Sequence, residues 1–164
     1  MSLLTVILSA SHKKEGFSCS NILLDTYLYR QAKQDVKRKL AACFVLPEKT
    51  VVKGYYTLSG LSIEQNLLPV EMQKKLPPSY MKLPATLLGR LAVDSKHQGQ
   101  GIGELLLIDA LKRSFLASAE VASMAVVVDP IDAAAHLFYQ KYGFLQLADS
   151  DKLFIPMATI SQLF

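Results

Sequence analysis

The chain is 164 residues long, the size of one compact domain, so a single hydrophobic core over residues 1–164 is expected. Apolar residues make up 51% and charged residues 20%, and the mean hydropathy is +0.24. These values exclude a disordered chain. A balance of 18 Lys+Arg against 14 Asp+Glu leaves a net charge of +4, which suits an acidic or phosphate-bearing partner without requiring one.

The opening run Leu3–Leu8 is apolar but short and has no basic residue before it, so it reads as a first strand rather than a secretory signal. From Ser20 to Lys39, Ile22, Leu23, Tyr27 and Leu28 recur at helical spacing, with Ser18 or Ser20 as the expected cap of one helix or two short ones. Ala41–Leu46, stopping at Pro47, and Val51–Leu58 read as an antiparallel hairpin. Residues 60–84 hold four of the seven prolines and predict an extended connection with one short helix at Val70–Lys75. A strand Ala85–Val93, a glycine-rich stretch Gln98–Gly103 and a helix to Ala117 follow. Then come a buried strand Met124–Val128, a helix from Asp132 to Tyr142 closed by Gly143, and two final strands, Phe144–Leu147 and Leu153–Met157. Local pairing in the first half and strand–helix alternation in the second predict an α/β fold, a mixed sheet with helices on both faces.

No apolar run approaches the roughly 20 residues of a bilayer-spanning helix; the longest is Leu40–Leu46. Cys19 and Cys43 stand far apart, and His12, His97 and His136 have no metal-ligand spacing, so neither a disulfide framework nor a metal site is expected. A cytoplasmic protein fits these features. The histidines are expected to face solvent, and no Ser-His-Asp or Cys-His order supports a covalent enzyme intermediate.

Glycines opening a helix let backbone N–H groups turn toward a phosphate at the positive end of the dipole. The loop His97-Gln98-Gly99-Gln100-Gly101-Ile102-Gly103-Glu104 lacks the Gly-Lys-Ser/Thr of a Walker loop, and its Gly-x-Gly-x-Gly spacing differs from the Rossmann fingerprint. With the Leu91-Ala92-Val93 strand before it, the pattern Gln98-x-x-Gly101-x-Gly103 resembles that of the GNAT superfamily of acyl-CoA N-acyltransferases over nearly the whole chain. The resemblance implies a mostly antiparallel central sheet with a splay that admits the thioester of acetyl-CoA. It further implies a diphosphate held by Gln98, Gly99, Gln100, Gly101, Ile102 and Gly103, and a pantetheine arm along Leu91, Ala92 and Val93. The run His136-Leu137-Phe138-Tyr139-Gln140-Lys141-Tyr142-Gly143-Phe144 resembles the end of the family's last helix. That implies a cofactor contact for Phe138 and a catalytic role for Tyr139, whose phenol, protonated at neutral pH, can give its proton to the departing thiolate. Without the resemblance, Tyr139 reads as a core residue.

Further segments are similar to the GNAT toxins of type II toxin–antitoxin systems: Phe17-Ser18-Cys19, Leu24-Asp25, Gly54–Ser59, Leu87–Asp94 and Leu153–Met157. This resemblance implies transfer of an acetyl group to the α-amino group of an aminoacyl-tRNA, a ribbon-helix-helix antitoxin as partner, and a homodimer. Strand Leu87–Val93 carries no carboxylate. A Lys ε-amine with a pKa of about 10.4 needs a base, whereas an α-amine near 8 is partly neutral already, so the missing carboxylate fits an α-amine acceptor. Asp94, Glu64 or a water-linked group stays open as a base. Arg30, Lys33, Lys37, Arg38 and Lys39 crowd one helical stretch against Asp35 alone, a patch that draws RNA or is simply a solvated face. Arg90, a charge inside an apolar strand, is expected to meet an RNA phosphate or a carboxylate. A housekeeping N-acetyltransferase of small amines or protein N-termini, and a catalytically silent acyl-CoA-binding module, are the alternatives.

Overall fold

A computed structural model describes residues 2–164. In chain order the elements are β1 (Val6–Ile7), α1 (Ile22–Arg30), α2 (Ala32–Lys37), β2 (Ala42–Glu48), β3 (Val51–Glu64), α3 (Val70–Gln73), β4 (Lys82–Val93), α4 (Ile102–Ala117), β5 (Ala125–Val128), α5 (Ala133–Lys141), β6 (Leu145–Gln146), β7 (Leu153–Pro156) and α6 (Met157–Ile160). The strands form one mostly antiparallel sheet in the order β1-β2-β3-β4-β5-β7-β6, flanked by helices. No helix among the described residues is long and apolar enough to cross a membrane. The chain falls into two compact units, one of residues up to Ser59 with Leu88–Arg113, the other of Gly60–Leu87 with Ser114–Phe164.

In the first unit Phe17, Tyr27, Leu28, Val45 and Tyr55 are buried together. Tyr55 takes the edge of Phe17 and the face of Tyr27 at centroid distances of 5.7 and 6.3 Å, and its hydroxyl donates to Leu24 O at 2.6 Å. This bond fixes α1 on the sheet. The cap of α1 is Asn21, whose Oδ1 accepts from Leu23 and Leu24 N–H at 3.0 and 3.2 Å, rather than either serine. Ser20 has a φ of 69° and lies outside the helix. Of the four apolar positions that suggest α1, only Tyr27 and Leu28 face inward, while Ile22 and Leu23 are three-quarters exposed.

Pro47 does not stop β2. The strand continues to Glu48, and the β2–β3 register shifts between Leu46 and Pro47 instead. A proline cannot donate to a ladder, and a bulge removes the demand for its missing N–H. Of the opening apolar run, Val6 and Ile7 form β1 opposite Val45 and Phe44, and Leu8 N–H donates to Cys43 O at 2.9 Å. Leu4 and Thr5 instead tie into α4, where the buried Asp109 accepts from Leu4 N–H and Thr5 Oγ1 at 2.5 Å and from Tyr56 Oη at 2.7 Å. The Arg113 guanidinium donates to Tyr56 Oη at 2.9 Å and to Thr5 O at 2.9 Å, and lies 3.9 Å from the Phe44 ring centroid.

In the second unit Ile63, Leu83, Ala85, Val127, Leu147 and Phe154 are buried together. All four residues of β5 are buried and pair antiparallel with β7, from Ala125↔Pro156 to Val128↔Leu153. The proline-rich connection is shorter than the sequence predicts, because β3 runs to Glu64 and β4 starts at Lys82. Gln65 Nε2 closes it by donating to Pro77 O and Tyr80 O at 3.0 and 2.9 Å. Helix α5 begins where Asp132 Oδ1 accepts from Ala135 N–H at 2.8 Å and ends before Gly143, whose φ of 93° provides the left-handed residue that terminates helices.

Candidate acyl-CoA and acceptor sites

The loop from Gln98 to the start of α4 belongs to the first unit. The Gln98 side chain donates from Nε2 to Val93 O at 3.0 Å and to Cys19 O at 3.2 Å, clipping the loop to the end of β4. Gly99 and Gly101 both have a φ of 78°, a left-handed conformation that other residues rarely adopt. Ile102 and Gly103 are already part of α4, so the loop proper ends at Gly101. The turn of α4 opens with Leu105 N–H donating to Gly101 O at 3.1 Å, and the amides before it are the unpaired donors that every helix start leaves. Two left-handed glycines and an unpaired first turn fit the diphosphate of acetyl-CoA, because that ligand supplies the acceptors these donors lack.

The sequence reading missed Gly54. A Cβ on it would lie 2.8 Å from Leu106 Cδ1 and 3.1 Å from Ala92 O. The bare backbone therefore lets α4 press against β3 and β4, which sets the position of the loop relative to Leu91–Val93. A lone glycine inside a run of β-branched and aromatic residues was the available signal.

Arg90 finds an aromatic partner within its own unit. Its guanidinium lies 3.5 Å above the centroid of the Tyr27 ring, a cation–π contact. The Tyr27 hydroxyl in turn donates to Asp35 Oδ2 at 2.8 Å, and burial is the main reason its pKa is raised. Arg30, Lys33, Lys37 and Arg38 are all exposed along α1 and α2. The first 39 residues hold seven cations, with Lys13, Lys14 and Lys39 completing the set, and three acids, Glu15, Asp25 and Asp35. Asp25 and Asp35 are buried; Asp25 accepts from Cys19 N–H at 2.9 Å, as Asp35 does from Tyr27. Glu15 is the one exposed carboxylate of the three.

Asp94 is not free to act as a base. It is 6% exposed and accepts from Lys96 N–H at 2.9 Å and Ser18 N–H at 3.1 Å, holding the turn before the loop. Burial pushes the Cys19 thiol up to about 11 and the Cys43 thiol up to about 12, which disfavours the thiolate at both. The histidines are half-buried rather than solvent-facing: His12 Nδ1 accepts from Ser9 N–H at 3.0 Å, and His97 Nε2 lies 3.8 Å from Glu48 Oε2.

In the second unit Tyr139 is 8% exposed. Its ring centroid is 5.3 Å from those of both Phe138 and Phe144, while Phe138 also meets Tyr142 at 5.2 Å. Burial alone pushes the Tyr139 phenol up to about 12. The core reading of the ring and the acid reading of the hydroxyl are thus compatible. Glu64 is exposed on the lining of a cleft of about 270 Å³ with Gln65, Tyr80 and Lys82.

The acetyltransferase (GNAT) domain pattern matches residues 39–146. The chain belongs to the GNAT acetyltransferases. It is 32% identical to the tRNA-acetylating toxin of Mycobacterium tuberculosis over 87% of its own length and 83% of that protein. To the probable toxin TacT of Sinorhizobium fredii it is 26% identical, over 93% and 89%. Among solved structures, AtaT complexed with acetyl-methionyl-tRNAfMet superposes with a TM-score of 0.90 at 32% identity, covering 99% of both chains. AtaTR bound with AcCoA gives 0.85 at 32% identity, covering 99% and 98%. This GNAT chain therefore shares its fold with toxins seen with acetyl-CoA and with acetylated tRNA.

Proposed function

We propose that the protein is a toxin that transfers an acetyl group from acetyl-CoA to the α-amino group of an aminoacyl-tRNA in the cytoplasm, so blocking translation. The similarity to AtaT complexed with acetyl-methionyl-tRNAfMet over 99% of both chains carries this reading. Bound acetyl-CoA supplies the activated thioester. The loop amides of Gly99–Gly103 hold its diphosphate, and Leu91–Val93 with Phe138 guide the arm. The Tyr139 phenol gives its proton to the sulfur as the new N–C bond forms and the C–S bond breaks, then regains one from water; the attacking amine releases its own proton to water. Burial keeps the phenol protonated at every working pH but weakens it as an acid, so donation depends on position more than on acidity.

No carboxylate of the β4 segment is needed to deprotonate an α-amine near 8. Arg30, Lys33, Lys37 and Arg38 draw the RNA backbone by counterion release, while Arg90 braces the strand against Tyr27. AtaT is also known bound to the C-terminus of the antitoxin AtaR, and a ribbon-helix-helix antitoxin is the corresponding partner proposed here. Incubation with labelled acetyl-CoA and bulk charged tRNA tests the reading: label is expected on the aminoacyl moiety. Label on small amines or protein N-termini alone indicates a housekeeping enzyme, and binding without transfer a silent module.

A further inference from the structure

We propose that the cleft between the turn Ser9–Glu15 and α2 seats a phosphodiester of the acceptor RNA, a subsite that rests on the RNA reading above but lies apart from the acyl-CoA loop. The cleft measures about 330 Å³, and its lining includes Leu8, Ser9, His12, Lys14, Lys33 and Val36. Leu8 and Val36 pack against the buried core and form an apolar floor, while Lys14 and Lys33 bring two ammonium groups. His12 Nδ1 accepts the Ser9 N–H at 3.0 Å, which leaves Nε2 as the ring's hydrogen-bond donor. Two cations and a ring N–H over an apolar floor match a phosphate with its ribose.

The turn is already built. Lys13 N–H donates to Thr50 O at 2.7 Å and Lys13 O accepts from Val52 N–H at 3.0 Å, while Phe17 N–H donates to Lys14 O at 3.0 Å. Binding there orders little new backbone, which favours affinity. Lys33 belongs both to the cleft and to α2, where Lys37 is also exposed. That continuity favours an anion with repeating charge over a single carboxylate. Glu15 also lines the cleft, and its carboxylate opposes the phosphate.

Steady-state acetylation of charged tRNA by the full chain tests the subsite. Lys14→Ala and His12→Ala are expected to raise KM for tRNA about tenfold, the loss of a charged hydrogen bond, with kcat and KM for acetyl-CoA unchanged. Lys14→Ala should also lower the slope of log KM against log salt by about 1, and Glu15→Gln should lower KM. A role in folding would instead shift the melting temperature and both KM values together. An active wild type with unaltered tRNA KM in Lys14→Ala and Glu15→Gln overturns the subsite alone, as does loss of a protein partner with tRNA kinetics intact. A wild type that acetylates no charged tRNA overturns the RNA reading and the subsite with it.

Discussion

Tyr139 is a packed core ring and the proton donor proposed above, and the two roles can be separated. Phenylalanine keeps the ring in contact with Phe138 and Phe144 and removes only the hydroxyl. Tyr139→Phe is therefore expected to lower kcat by about 10²–10⁴ while calorimetry finds acetyl-CoA binding unchanged. An unaltered kcat would remove the phenol from the mechanism. Gly99 has a different task. Nothing lies within 4 Å of where its Cβ would be, so Gly99→Ala meets backbone strain of about 1–2 kcal/mol without a clash. The expected result is weaker coenzyme A binding with a small drop in denaturation midpoint; equal affinity in the two proteins would contradict a left-handed loop that serves the diphosphate.

At the scale of elements, contacts made by a few groups set the position of β4, α4 and β1. Gly54→Ala puts a methyl 3.1 Å from the Ala92 carbonyl as well as against Leu106. The leucine tip can swing aside, but the carbonyl can move only with its strand. A loss of about 1–3 kcal/mol and a coenzyme A affinity that falls with it are expected from urea titration and calorimetry. Asp109→Ala removes the carboxylate beside Arg113 and leaves Leu4 N–H, Thr5 Oγ1 and Tyr56 Oη without that acceptor, so about 3–5 kcal/mol should be lost; a urea midpoint close to wild type would show that β1 is held otherwise. These elements also show what a sequence displays. Helix α5 was legible at both ends because Asp132 and Gly143 act on their own neighbours, and the Gln98–Gly103 loop was legible because glycine spacing is local. The cap at Asn21, the passage of β2 through Pro47 and the seat of Arg90 on Tyr27 were not, since each is decided by residues distant in the chain or by competing caps. Gly54 and Asp109 were hidden for the same reason: their partners lie 38 or more positions away.

Over the whole molecule the buried tyrosines dictate the response to alkali. Burial raises Tyr27, Tyr55, Tyr56 and Tyr139, the last to about 12, against about 10 for a free phenol. The folded state thus holds protons that the unfolded chain has released, and the stability this contributes is complete below pH 10 and lost as pH rises through the folded values. Melting temperature is expected to fall from about pH 10 upward, and a flat profile between pH 9 and 11 would contradict it. One consequence concerns the order in which ligands arrive. Tyr27 carries Arg90 of β4 on its face and Asp35 of α2 on its hydroxyl, which makes that strand and that helix one mechanical piece. Occupancy of either should then be felt by the other, with equal reciprocal effects on affinity, so coenzyme A and uncharged tRNA are expected to change each other's dissociation constants by the same factor, and Tyr27→Phe to shrink that factor toward unity.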